Sequence, residues 1–96
     1  MAARIDVAAM PSKDGWDCRV TIDDGRGTST HRVAVRGSDL DRLAPGAADP
    51  VALVRASVEF LLEREPKESI LGSFDLPVIG RYYPDYERSI RRGAGG

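Results

Sequence analysis

The sequence predicts an α+β domain: a three-stranded antiparallel meander followed by one long and two or three short helices, packed as a two-layer sandwich. Three observations predict it. Apolar and polar residues alternate with period two through the first third of the chain, Asp-Gly pairs separate the alternating runs, and from residue 50 onward the apolar spacing is helical and interrupted by prolines.

The alternation is clearest in "WDCRVTID", where Trp16, Cys18, Val20 and Ile22 interleave with Asp17, Arg19, Thr21 and Asp23. A strand with one face buried and one in water has this pattern, because successive side chains point to opposite faces. Before it, "RIDVAAM" sets Ile5 and Val7 against Arg4 and Asp6. After it, "THRVAVR" sets His31, Val33 and Val35 against Thr30, Arg32, Ala34 and Arg36. The connectors "PSKDG" and "DDGRG" are short, and the glycine of each is expected to supply the positive φ of a tight hairpin, which makes a meander the economical topology.

The helical part begins with Ser38 and Asp41, spaced as a capping box for a short turn over "SDLDRL". Asp49 then serves as N-cap with Pro50 at the first helical position, and the main helix is predicted over 50–64. On a wheel Val51, Val54, Val58, Leu61 and Leu62 form one stripe, Leu53 and Phe60 lie nearly opposite part of it, and only Arg55, Glu59 and Glu63 form a polar strip. A helix apolar over more than half its circumference must be covered on two sides, here by the sheet and by the C-terminal segment. Pro66 ends this helix, since it lacks a donor and pushes Glu65 out of the α region. "PKESIL" starts a short turn that Gly72 stops, and "DLPVIGRYYPDYERSI" restarts at Pro77 and again at Pro84. Leu71, Phe74, Leu76, Val78, Ile79, Tyr82, Tyr83 and Ile90 give this tail the apolar surface to lie over the long helix. Residues 1–92 are expected to form one domain and residues 93–96 a flexible Gly-rich tail.

Ninety-six residues suffice for a single modest core. With 42% hydrophobic and 30% charged residues the composition is that of an ordinary folded domain, and 14 basic against 15 acidic residues leave no overall positive field to hold phosphate backbones. Cys18 is the one cysteine, so no disulfide can form within the chain, and "MAARIDVAAM" lacks an apolar signal region. A cytoplasmic protein is expected, with no membrane partner. Lys13 and Lys67 are the only lysines among the basic residues, a bias that fits a GC-rich bacterial genome.

The runs "VEFLLEREPKESIL" and "FDLPVIGRYYPDYERSI" resemble the C-terminal half of a group of short bacterial proteins of unassigned function. The likeness covers roughly residues 50 to 90 and implies a shared fold without implying any chemistry.

Several constellations suggest sites, and each has a plainer explanation. Glu59, Glu63, Glu65 and Glu68 could be read as a cation site, but the sequence holds one histidine and no calcium-type loop; a solvated helix face with Arg55, Arg64 and Lys67 as counterions is the better account. His31 and Cys18 could form a thiol dyad, yet both fall in phase with Val20, Val33 and Val35, where cysteine acts as a small buried hydrophobe. "DDGRGTST" lacks the lysine and the strand-to-helix setting of a phosphate loop and reads as a hairpin turn. The end, "RRGAGG", resembles the tails of ubiquitin-like modifiers, but that fold needs a strand just before the tail and "YERSI" is helical in pattern.

What remains is the outward sheet face, where Arg19, Arg32 and Arg36 can share one open surface as a partner-binding patch. The reading that follows is a small noncatalytic protein-binding adaptor or regulatory module, with no cofactor or metal and with a homodimer as one form of partnership. Its alternatives are a nucleic-acid-binding module on the same face and a small enzyme using Glu with Tyr82 or Tyr83 in acid-base chemistry.

Overall fold

The three alternating runs form β1 (Arg4–Ser12), β2 (Gly15–Asp23) and β3 (Thr28–Arg36) in the computed structural model of the chain, which describes residues 3–94. They pair as an antiparallel meander with Val7 opposite Val20 and Cys18 opposite Val33. Cys18, Val20, Ile22, Val33 and Val35 are buried in the core on the inner face, as the alternation predicts, and Trp16 sits half-buried at the margin of the same face.

The two connectors use glycine differently. In the β2–β3 loop Gly25 has φ of +86°, and the side chains of Asp23 and Asp24 accept the loop's own amide hydrogens, from Gly25 at 2.9 Å and from Arg26 and Gly27 at 2.9 and 3.1 Å. Gly15 takes no positive φ, contrary to the sequence expectation. A Cβ there would lie 2.2 Å from the Val35 carbonyl oxygen, so Gly15 is needed because β3 passes over it.

The sheet has a fourth strand that the sequence reading lacks. β4 (Ser73–Asp75) runs parallel to β3, with Phe74 opposite Val33, and is held by Arg32 N–H on Gly72 O at 2.8 Å and Leu76 N–H on Ala34 O at 2.9 Å. Three residues are too few to display alternation, and the pairing is set by backbone groups that composition does not reveal.

α1 (Gly37–Leu43) follows β3 without a loop. Its cap therefore falls at Arg36, whose N–H donates to Asp39 Oδ2 at 3.0 Å, in place of the expected Ser38–Asp41 box. α2 (Val51–Leu62) is the long helix and is shorter than the 50–64 expected: Pro50 takes the N-cap position in place of Asp49, which sits one residue before it and accepts Val51 N–H at 2.9 Å, and the helix stops at Leu62. α2 packs on β1 with one side and on α4 (Tyr86–Ala94) with the other, the two-sided cover its wheel demands. Between them lie a 3₁₀ turn (Lys67–Ser69) and α3 (Val78–Tyr82). α4 crosses residue 92, where the domain was expected to end; residues 95–96 of the expected tail lie outside the described residues. The helix directly before the tail is the feature that separates this chain from a ubiquitin-like layout. No helix among the described residues is long and apolar enough to cross a membrane.

Two polar clusters tie the layers. Ser57 on α2 donates to Leu53 O at 2.8 Å and lies 2.7 Å from the Tyr86 hydroxyl, with both residues fully buried. Lys67, buried after Pro66, holds Asp24 of the β2–β3 loop at 3.1 Å and also meets Glu68. Hydrogen bonds to Glu68 and Asp24 hold the Lys67 ammonium above its usual range, the bond to Lys67 holds the Glu68 carboxyl below its own, and Asp24 is held low first by the Arg26 amide and then by Lys67.

Candidate functional site

The antiparallel register decides which polar side chains of the outer face meet. Arg19 on β2 stands directly opposite Arg32 on β3, with Ala8 and Ser73 completing that row on β1 and β4. The adjoining row on β2 and β3 is Thr21 opposite Thr30. Both arginines are exposed, and Arg32 Nε reaches Asp17 Oδ2 at 3.4 Å. That ion pair is open to water, 66% exposed at the arginine and 44% at the aspartate, and a pair of this kind stabilises by at most about 1 kcal/mol. Two cations facing each other across strands cost a similar amount, so the arrangement gives the fold no net benefit. Arg36 is set apart. It lies opposite Gly15 at the end of β3, beside a recess of about 190 Å³ shared with Asp39, Asp75 and Arg81. The structure thus brings two of the three predicted arginines together and leaves the third at the corner of the sheet.

The helical layer holds a second feature, which sequence reasoning did not find. The end of α2, the 3₁₀ turn, β4 and α3 enclose a cavity of about 270 Å³ whose apolar wall includes Leu61, Ile70, Phe74 and Val78. Leu71 and Tyr82, 50% and 69% exposed, stand at its rim. Glu65 enters the wall and accepts a hydrogen bond from the Tyr83 hydroxyl. That bond to the carboxylate, reinforced by desolvation, raises the Tyr83 phenol above its usual range. The signal in the sequence was the cluster of large apolar residues after Gly72, all of which were expected to be spent on covering α2.

The remaining constellations resolve as structure. His31 is buried, its Nδ1–H donating to Leu71 O at 2.8 Å and its Nε2 engaged with the Ser29 hydroxyl at 2.8 Å, so neither ring nitrogen is left to serve Cys18. Burial first, and then the carboxylates of Asp17 and Asp49, push the Cys18 thiol up to about 11, the opposite of what a nucleophile requires. The glutamates disperse: Glu63 pairs with Arg64 at 3.4 Å, Glu68 with Lys67, and Glu65 with Tyr83. Among the described residues no group of three or more His, Cys, Asp or Glu side chains could hold a metal ion. In "DDGRGTST" the loop amides that would face a phosphate are taken by Asp23 and Asp24. No family model, curated protein or solved structure matches the chain.

Proposed function

We propose that the protein is a small noncatalytic binding module of bacterial origin, an adaptor or regulatory component of the cytoplasm, whose open sheet face takes an acidic segment of a protein partner. The observation that carries this reading is the direct opposition of Arg19 and Arg32 across β2 and β3, both exposed. Opposed guanidinium groups repel in the free protein and gain when a carboxylate enters between them, because each can offer a planar fork of donors to it. The Thr21 and Thr30 hydroxyls beside them add donors to the same spot, and Arg36 extends the positive surface toward α1.

The test is the triple substitution Arg19→Ser, Arg32→Ser and Arg36→Ser. All three side chains are exposed, so the melting temperature stays within a few degrees, while a partner recovered by the native protein and identified by cross-linking is lost. Retention of that partner by the folded triple variant overturns the reading, and so does unfolding of the variant. A gel shift that weakens steeply with salt transfers the face to nucleic acid instead. Sheet-surface RNA binders stack bases on aromatics, and the one aromatic of the three long strands, Trp16, belongs to the inner face.

The same module pairs with a second copy through β1. Its outer edge has no neighbouring strand among the described residues, and its inner-face residues Ile5, Val7 and Ala9 are only half-buried, whereas Cys18, Val20 and Ile22 of β2 are buried. Light scattering at high micromolar concentration gives a dimer on this reading, and a monomer refutes it.

A further inference from the structure

We propose that the cavity between the end of α2 and α3 binds a small organic ammonium ion on an apolar stem, with Glu65 as its counter-ion. The site stands apart from the arginine face, and its fate does not depend on that reading. Its volume, about 270 Å³, lies just under the ~300–1,000 Å³ usual for ligand pockets, so the occupant is small, of the size of an arylalkylamine.

Three observations select the charge. Glu65 is the one carboxylate in a wall that is otherwise apolar apart from Ser69 and the tyrosine hydroxyls. Among the described residues it forms no ion pair, whereas Glu63 and Asp85 pair with Arg64 at 3.4 and 3.6 Å and Asp24 and Glu68 pair with Lys67. Both nearby cations are committed elsewhere. Lys67 is buried between its two carboxylates, and Arg64 lies 3.5 Å over the Phe60 ring while donating to Phe60 O at 2.9 Å. Tyr83 fixes one oxygen of Glu65, and an ionised carboxylate has about four lone-pair sites, so acceptors remain for a ligand.

The walls select the rest of the ligand. Phe74, Tyr82 and Tyr83 line the same space as the carboxylate, and aromatic faces attract an ammonium ion and its adjacent methylene groups. The side chains of Leu61, Ile70, Val78 and Ile79 offer nothing but apolar contact, which suits a ring or branched chain behind the charged head. An anion of the same shape meets repulsion from Glu65, and a neutral analogue forgoes the charge-assisted bond.

The experiment titrates 15N-labelled protein with 2-phenylethylamine, 2-phenylethanol and 3-phenylpropionate and follows amide shifts. The amine binds at least about tenfold more tightly than the other two, and the perturbed amides lie at Ser69–Phe74 and Val78–Tyr83. Glu65→Gln lowers amine affinity to that of the alcohol. Tyr82→Ala, at a side chain 69% exposed and so without consequence for folding, weakens the amine several-fold. Equal affinity for the three probes overturns the assignment, as do shifts centred elsewhere or amine binding that survives the tyrosine truncation. If Glu65→Gln fails to fold, the three-probe comparison on the native protein and Tyr82→Ala still decide.

Discussion

The buried pair Ser57–Tyr86 makes a prediction whose sign depends on which hydroxyl donates. The Ser57 proton goes to Leu53 O at 2.8 Å, so toward Tyr86, 2.7 Å away, the serine oxygen can only accept and the phenol must donate. Ser57→Ala therefore strands a fully buried phenolic donor, at about 1–3 kcal/mol, reduced by about 0.5 kcal/mol because alanine is the better helix former. Tyr86→Phe removes the donor but leaves the Ser57 proton satisfied on Leu53, costing about 0.5–1.5 kcal/mol. In the double variant nothing is stranded, and its cost should not exceed that of Tyr86→Phe alone. A coupling of about 1–2 kcal/mol follows, measurable by urea denaturation of the four proteins. A double variant as unstable as the sum of the singles refutes the donor assignment.

Alkali provides an independent check of the same residue. Burial, the largest cause, raises the Tyr86 phenol to about 12, against 10.0 for an ordinary tyrosine. Between these values the unfolded chain has lost the proton and the folded chain retains it, so ν_U is below ν_N and stability falls as pH rises. The stability is fully present below pH 10 and is lost as pH approaches 12, by roughly 2–3 kcal/mol at 1.36 kcal/mol per unit. Tyr86→Phe lacks this term. It should be less stable than the native protein at pH 7 and should narrow or reverse the difference by pH 12; a constant difference across that range would mean the ring is in water.

Three further outcomes follow from the packing. Val20→Asp places an unpaired charge at a fully buried site and should unfold the domain, at a cost of several kcal/mol; native-like thermal stability would reverse the assigned strand phase. Gly15→Ala drives a Cβ toward the Val35 carbonyl oxygen, 2.2 Å away, and should lower stability by about 2–4 kcal/mol in thermal melts, whereas Gly72→Ala, which meets nothing within 4 Å, should not. Cys18, buried with its thiol pushed up to about 11, should resist a thiol reagent at neutral pH until urea is added, and fast native labelling would place it at the surface.

The strands were legible because each of the three long runs has one wet face; Val20, Cys18 and Val33 fell where alternation put them. The long helix was legible from its two-sided apolar wheel and from Asp49 just before its start, while it ends at Leu62, four residues ahead of Pro66, which instead opens the 3₁₀ turn. What could not be read was whatever depends on register or on distant contacts. Arg19 meets Arg32 only because the loop between Asp23 and Thr28 has the length it has; a slip of one residue would bring His31 or Val33 to Arg19 and turn the buried set of β3 outward. Tyr86 was passed over although its spacing from Ile90 is helical, because its value lies in Ser57, 29 positions earlier. Glu65 was counted with the solvated glutamates, and nothing local indicates that Tyr83, 18 positions later, aligns it in a cavity wall.

Polar groups inside this domain are matched with care. No buried side-chain nitrogen or oxygen among the described residues lacks a partner: His31 uses both ring nitrogens, Ser57 and Tyr86 satisfy each other, and Lys67 holds two carboxylates. Against that background two arrangements break the local rules. Two arginines face each other on an open sheet, where a threonine in place of either would relieve the repulsion and suit the strand better. A carboxylate stands in an apolar wall without a cation, within reach of a chain that pairs its neighbouring acids. Within the fold Arg32 gains a solvent-open pair with Asp17 and Glu65 a hydrogen bond from Tyr83, yet neither contact relieves the opposed charges on the sheet or supplies the carboxylate with a cation. Departures from local consistency of this kind are where an interaction outside the chain is to be sought. That places the two binding hypotheses on the same physical footing while leaving each with its own refutation: a partner that ignores Arg19 and Arg32, or an amine that ignores Glu65.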